Sequence, residues 1–168
     1  MTDIIDQRAG LNPATSERLR GHRLSVVEAS QAASESLLPA TLENDPVQGI
    51  DLQTRLLVAA RAAIVDGHAA SSEHYLSRLT DLGVAADAAT DGADRGAGLA
   101  AAPKLRALLR HVDRLVLRPA STTETDLTAL RSAGWSTAEI VVASQIVGFV
   151  TFQTRIATGL SVLARRSA

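Results

Sequence analysis

Two helical patterns separated by a break occupy residues 55–84, RLLVAARAAIVDGHAASSEHYLSRLTDLGV, and this stretch decides the fold. Asp66 and Gly67 form the break, because an Asp-Gly pair favours a turn over a helix. Before the break, apolar residues recur at the spacing of one helical face, namely Leu52, Leu56, Ala59, Ala60 and Ala63. After the break, residues 68–82 predict a second helix, which Gly83 is suited to end.

The first 50 residues predict a helical extension in front of this pair. Pro13 follows Asn12, an arrangement typical of a capping residue and a proline at the first helical position. Apolar residues at a loosely helical spacing then continue until Pro39. Residues 39–50 contain two prolines, an Asn-Asp pair and a glycine, which indicates a linker.

The second half of the chain predicts a loop followed by three more helices. Residues 84–102 are rich in Ala, Gly and Asp and have few bulky apolar side chains, so we expect a flexible loop. Pro103 begins a helix and Pro119 closes it. Each of the last two helices begins with a capping box, Ser121 with Glu124 and Ser136 with Glu139. Residues 1–168 therefore predict one all-α domain, a bundle of about six helices.

Composition excludes several classes of function. Only 2% of the 168 residues are aromatic, so the core must consist of Leu, Val, Ile and Ala. The net charge of −1 leaves no excess of positive charge for phosphates, which argues against nucleic-acid binding. The chain contains no cysteine, which excludes disulfides, thiolate metal sites, iron–sulfur clusters and cysteine nucleophiles.

No segment has the pattern of a targeting signal or a membrane span. The N-terminus lacks a basic region followed by an apolar stretch, so it does not resemble a signal peptide. The most apolar segment, residues 140–152, is too short to cross a bilayer. We therefore expect a soluble, cytoplasmic protein that does not bind membranes.

The C-terminal half carries a family resemblance. Residues 118–144, RPASTTETDLTALRSAGWSTAEIVVAS, and residues 148–162, GFVTFQTRIATGLSV, resemble the AhpD-like family, also called the carboxymuconolactone decarboxylase domain family. The peroxidase-related group is the most similar, and residues 55–84 resemble its active-site helices. The resemblance implies an all-helical, oligomeric protein. In members that carry thiols, it also implies reduction of hydroperoxides by a CxxC pair, with a glutamate and a histidine as proton relay.

The residues at the family's active-site positions differ in this chain. His68 and Ser71 stand where the resemblance places the two cysteines, Leu56 where it places the relay glutamate, and Tyr75 where it places the relay histidine. A dithiol peroxidase needs one thiolate to attack the peroxide and a second thiol to resolve the sulfenic acid. The dithiol mechanism is therefore excluded for this chain.

A polar constellation of His68, Ser71, His74 and Tyr75 remains on one short helix, and these are the candidate site residues. Ser71 lies three positions from each histidine and four from Tyr75, so each of these pairs can touch. In a catalytic interpretation, His74 is a general base and Ser71 or Tyr75 is the donor.

Two other interpretations of these residues stay open. A metal ion could be held by His68, His74 and a carboxylate, either Asp66 or Glu73, although the two histidines do not share one helix face. The simpler interpretation is that His68 and Ser71 cap the free amides at the helix start, while the remaining polar side chains face solvent. This last interpretation is the one that the spacing favours.

The aromatic residues of the C-terminal half could line a pocket or an interface, but we expect them in the core. These are Trp135, Phe149 and Phe152. Arg155 matches an arginine of the family pattern, and we expect it to form a salt bridge or an interface contact.

These observations predict a divergent, cysteine-less member of the peroxidase-related group that has lost thiol peroxidase activity. We expect it to form a homo-oligomer or to support a thiol-bearing relative, without a cofactor, a bound metal or nucleic acid. The alternative is a thiol-independent enzyme of the decarboxylase or lactone-processing type. In that case His74 and Tyr75 would be its acid–base pair.

Overall fold

The described part of the chain is all-α, as the sequence predicts. A computed structural model describes residues 3–40, 49–85, 87–90 and 102–166. The α-helices in these ranges are α1 (Ile4–Ala9), α2 (Pro13–Arg20), α3 (Leu24–Leu37), α4 (Leu52–Val65), α5 (Ala69–Asp81), α6 (Asp87–Thr90), α7 (Pro103–Leu117), α8 (Glu124–Ser132) and α9 (Thr137–Arg166). Most of residues 84–102, the expected loop, lies outside the described residues.

Helix α4 is the centre of the bundle and packs against α5, α7 and α9. Buried positions run along α4 from Leu52 to Ala63 and cover its whole circumference rather than one face. Many of these residues are alanines, whose small side chains let the neighbouring helices approach closely. The rest of the main core comes from apolar residues of the surrounding helices, including Leu79, Leu108, Ile146 and Val150.

Two arginines of α4 lie off the predicted apolar face and are nevertheless buried. Arg55 is inside the bundle, where its Nη1 donates to the carbonyl of Leu37 at 2.9 Å. Arg61 donates from Nε and Nη2 to the two carboxylate oxygens of Asp113 on α7, at 2.6 and 2.8 Å. Hydrogen bonds and the opposite charge offset the cost of removing these guanidinium groups from water.

The N-terminal region differs from the single helix predicted between Pro13 and Pro39. A 3₁₀ turn, Gly21–Arg23, separates α2 from α3. Glycine weakens a helix interior, which explains the interruption. The short helix α1 was not predicted from the sequence, and Asp3 caps its N-terminus by accepting from the Asp6 amide. Apolar residues fix α1 on α9 in a second small core of Ile5, Ala9, Leu11, Ala157 and Leu160.

One of the two predicted capping boxes is wrong and the other is confirmed. Residues Pro119–Ser121 form a 3₁₀ turn instead of a helix start. The box that begins α8 consists of Thr123 and Asp126, because the rigid proline turn delays the helix. Before α9, the second predicted box is formed as expected: the Ser136 amide donates to the Glu139 carboxylate, and the Glu139 amide donates to the Ser136 hydroxyl.

Helix α9 extends beyond the most apolar segment, residues 140–152, at both ends. Its 30 residues include an 18-residue window of mean hydropathy 1.4, which is long and apolar enough to cross a membrane by length and composition. Half of that window is buried against the other helices, as in a core helix of a soluble bundle. The length and composition of α9 are therefore weak evidence for a membrane span.

The Arg61–Asp113 pair gives the first testable prediction. Asp113→Ala leaves the Arg61 guanidinium in the bundle without its carboxylate, so we expect a loss of about 2–4 kcal/mol in unfolding free energy. Arg131→Ala is the control, because Arg131 is exposed and its guanidinium donates to the Thr128 hydroxyl rather than to a carboxylate; it should change stability by about 0.5 kcal/mol or less. Urea unfolding measures both variants, and equal losses would contradict the structural role of the pair.

Candidate functional site

The connection between α4 and α5 is a tight turn that presents the candidate residues to the core. Gly67 has a φ of 77°, a conformation that other residues rarely adopt. The carboxylate of Asp66 accepts a hydrogen bond from the hydroxyl of Thr154, which attaches the turn to α9. His68 then caps α5, because its Nδ1 accepts from the Ser71 amide at 3.2 Å. The capping interpretation is thus correct for His68.

Ser71 and Tyr75 face inward from α5, and only 0% and 1% of their surfaces are exposed. The prediction that the Ser71 side chain helps to cap the helix is therefore wrong. Its hydroxyl has no hydrogen-bond partner among the described residues. The Tyr75 hydroxyl donates to Oε1 of Gln153 on α9 at 3.0 Å. Burial follows from their spacing of four positions, which places both side chains on the side of α5 that packs on the bundle.

Two residues of this site, Arg8 and Gln153, were not identified from the sequence. The guanidinium of Arg8 lies over the Tyr75 ring at 4.7 Å from its centroid, and its Nη1 donates to Oε1 of Gln153. Helix α1 brings Arg8 to this point, and an element of only six residues shows no clear helical periodicity. Gln153 could have been found as a polar residue on the apolar face of the last helix.

The polar groups of this cluster are incompletely paired. Nε and Nη2 of Arg8, Oγ of Ser71, Nε2 of His74 and Nε2 of Gln153 are buried without a hydrogen-bond partner in the described residues. Most buried polar atoms in proteins are paired, because each unpaired one costs on the order of 1–3 kcal/mol. The cluster therefore retains unused hydrogen-bonding capacity.

His74 and Tyr75 are both neutral at neutral pH. Burial, followed by the positive charges of Arg8 and Arg78, lowers the pKa of His74 from 6.5 to about 4. Burial also raises the pKa of Tyr75. The two rings meet edge to face, with their centroids 5.2 Å apart. His74 is therefore a weak base at neutral pH, whereas a general base works best with a pKa near 7.

The charges at the site are positive. Arg78 donates from its two Nη atoms to the carbonyls of Leu38 and Pro39, which lie just after α3. Neither Arg8 nor Arg78 forms an ion pair with a carboxylate of the described residues. A negatively charged group would therefore be stabilised here.

The described residues give no support to the metal interpretation. Within the described ranges, His68 and His74 do not come together with a carboxylate, and no group of three His, Asp or Glu residues is close enough to hold an ion. Leu56, at the position of the family's relay acid, is fully buried in the apolar core.

The aromatic residues of the C-terminal half follow the prediction only in part. Trp135 is buried, and its indole nitrogen donates to the Lys104 carbonyl at 2.8 Å. Phe149 is half-buried. Phe152 is 40% exposed and does not pack in the core as expected; it lines a groove together with Ile5 and Leu19, which agrees with the alternative of a pocket position. Arg155 is exposed on the outer face of α9, and no salt bridge of the described residues includes it.

Comparison with known proteins finds no relative: no family model, no curated protein and no solved structure matches this chain.

The depressed pKa of His74 predicts a pH dependence of stability. Between pH 6.5 and about 4, His74 takes up a proton in the unfolded chain but not in the folded one. The free energy of unfolding should therefore fall as the pH falls through this window, by an amount on the order of 2 kcal/mol from this residue. Urea titrations at each pH measure the loss.

The matched variants for this measurement are His74→Gln and Ser77→Gln, which introduce the same side chain at neighbouring positions of α5. The first should lose the His74 part of the pH dependence, and the second, at an exposed position, should keep it. Identical slopes for His74→Gln and the native chain would contradict the burial of a neutral imidazole.

Proposed function

We propose that this chain is a divergent, cysteine-less AhpD-like protein that does not carry out dithiol peroxide reduction. One observation carries the proposal. The residues at the two thiol positions of the family motif, His68 and Ser71, lie at the start of α5 after a tight turn, but no sulfur atom is present. The imidazole of His68 is used to cap the helix, and the Ser71 hydroxyl is buried.

The chemistry of these side chains supports the loss of activity. A serine hydroxyl is not ionised at neutral pH and cannot form a disulfide, so Ser71 replaces neither the attacking nor the resolving thiol. The core leucine at position 56 also supplies no proton to a peroxide. The scaffold is retained in this proposal, while its redox centre is absent.

Restoring the thiols tests this proposal. Native protein with hydroperoxide and a dithiol donor should show only background turnover. His68→Cys with Ser71→Cys should gain dithiol-dependent turnover, because the start of α5 lowers the pKa of a thiol placed there. Consumption of peroxide measures both proteins.

The matched control is Ala69→Cys with Ser72→Cys, which has the same spacing but turns the pair to a more exposed part of α5. This control should remain well below the first pair. Turnover by the native protein would contradict the loss of activity, and equal turnover by the two pairs would contradict the likeness to the peroxidase site.

The outer face of α9 supports an assembly of identical chains. Its exposed positions follow each other at alternating steps of four and three residues, Val141, Gln145, Gly148, Phe152, Arg155, Gly159 and Val162. This spacing is typical of the contact line between paired helices. At both glycines, a Cβ atom would meet nothing within 4 Å, so another helix could approach closely there. A second copy of α9 is the proposed partner, although a thiol-bearing relative could use the same face.

Disruption of this face tests the assembly. Native protein should have a mass above the 17.6 kDa of one chain in light scattering, and Phe152→Glu should shift it toward the monomer because a charge is placed in the apolar contact. Arg18→Glu, at an exposed position of α2, should leave the mass unchanged. A monomeric native protein in solution, or one that requires detergent, would contradict the proposed pairing.

A thiol-independent decarboxylase or lactone-processing enzyme is the second candidate. The observation that favours it is the contact of His74 with Tyr75, with Nε2 of His74 buried and unpaired. The pKa of about 4 for His74 and the bond from Tyr75 to Gln153 weaken both residues as catalysts. A measured His74 pKa near 7 would favour this candidate over the first.

A further inference from the structure

Arg8 holds a permanent positive charge inside the protein, and no described residue supplies it with a negative partner. Only 7% of the residue is exposed, and none of the ion pairs formed by the described residues includes it. A charge removed from water is costly unless it is paired and fully hydrogen-bonded. The oxygen of Gln153 and the face of Tyr75 compensate only part of this cost.

The two unpaired nitrogens of Arg8 are the pair that binds a carboxylate side-on. Nε and Nη2 of a guanidinium point their hydrogens to the same side, at the separation of two carboxylate oxygens. The same chain shows this arrangement elsewhere, because Nε and Nη2 of Arg61 each donate to one oxygen of Asp113. In Arg8 both of these donors are buried and unused.

Neighbouring donors complete the surroundings of Arg8. Oε1 of Gln153 accepts from both Arg8 and Tyr75, and this fixes the orientation of the amide so that Nε2 is the free donor. Ser71, which lies one helical turn before Tyr75, adds a hydroxyl without a partner. Gln153 and Ser71 are both fully buried, so these donors are withheld from solvent.

We propose that Arg8 anchors a buried binding site for one small monocarboxylate, of about the size of formate or acetate, between α1, α5 and α9. The guanidinium of Arg8 binds the two oxygens side-on, and the free donors of Gln153 and Ser71 bind their remaining lone pairs. The unpaired atoms of these three side chains are buried without free space beside them, so α1 has to shift outward to make room for the acid, which favours the smallest acids. This site depends on α1 and is independent of the proposed family and of its thiol chemistry.

Helix α1 is also the cover of the site. It has six residues, and apolar contacts of Ile5 and Ala9 hold it on α9. A terminal helix of this length can open locally without unfolding of the bundle. Opening of α1 would carry Arg8 away from Tyr75 and admit the acid, and binding of the acid would favour the closed position.

Formate is the probe for the experiment. Thermal unfolding of the full chain is followed in a series of sodium formate concentrations, with sodium chloride added to keep the ionic strength constant. The unfolding midpoint should rise with formate, because a ligand that binds only the folded state stabilises it. Arg8→Lys keeps the charge but removes the two parallel N–H donors of the guanidinium, so we expect binding to weaken about tenfold or more. No rise for the native protein, or an equal rise for Arg8→Lys, would overturn the proposal.

A second variant keeps the test decisive if Arg8→Lys does not fold. Gln153→Glu places a carboxylate beside Arg8 within the chain itself, so the protein should fold and lose its response to formate. Gln53→Glu is the control, since it makes the same change at an exposed position of α4 and should keep the full response. An unchanged formate response in Gln153→Glu would assign the unpaired donors to water instead and overturn the proposal.

Discussion

Enclosure of α4 on all sides is the constraint on which the rest of the structure depends. A helix that is buried around its whole circumference needs small side chains where its neighbours approach, and α4 supplies a series of alanines between its leucines. The low aromatic content of the chain has the same origin, because large rings would hold the surrounding helices apart. Helices α5, α7 and α9 are then positioned by their contacts with α4.

Capping residues and glycines in the sequence predicted the helix boundaries well wherever only one such signal was present. The break at Asp66 and Gly67, the glycine after α5 and the capping box of Ser136 and Glu139 all lie where the sequence placed them. The start of α8 was misplaced because two overlapping sets of capping residues were present, and the proline turn decided between them. Burial of Arg55 could not be predicted from periodicity, since it depends on a carbonyl contributed by a distant helix.

Of the three helices that form the candidate site, α1, α5 and α9, the sequence predicted only the contribution of α5. Sequence spacing found Ser71, His74 and Tyr75, because residues three and four positions apart on a helix are neighbours. Arg8 and Gln153 are separated from each other by most of the chain, and only the packing of α1 on α9 brings them together. The low pKa of His74 likewise results from burial in the packed bundle and from arginines on two helices. A single sequence contains no signal for such long-range contacts, whereas the local pattern that surrounds Tyr75 is visible in it.

The tight turn between α4 and α5 limits how the length of this chain can vary. Its left-handed glycine and its bond to Thr154 fix the rotation of α5 about its own axis. One inserted or deleted residue would turn α5 by about 100° and exchange its buried and exposed sides. Tyr75 would then face water, while a charged neighbour such as Glu73 would approach the core. Substitutions in this turn are therefore better tolerated than any change in the number of its residues.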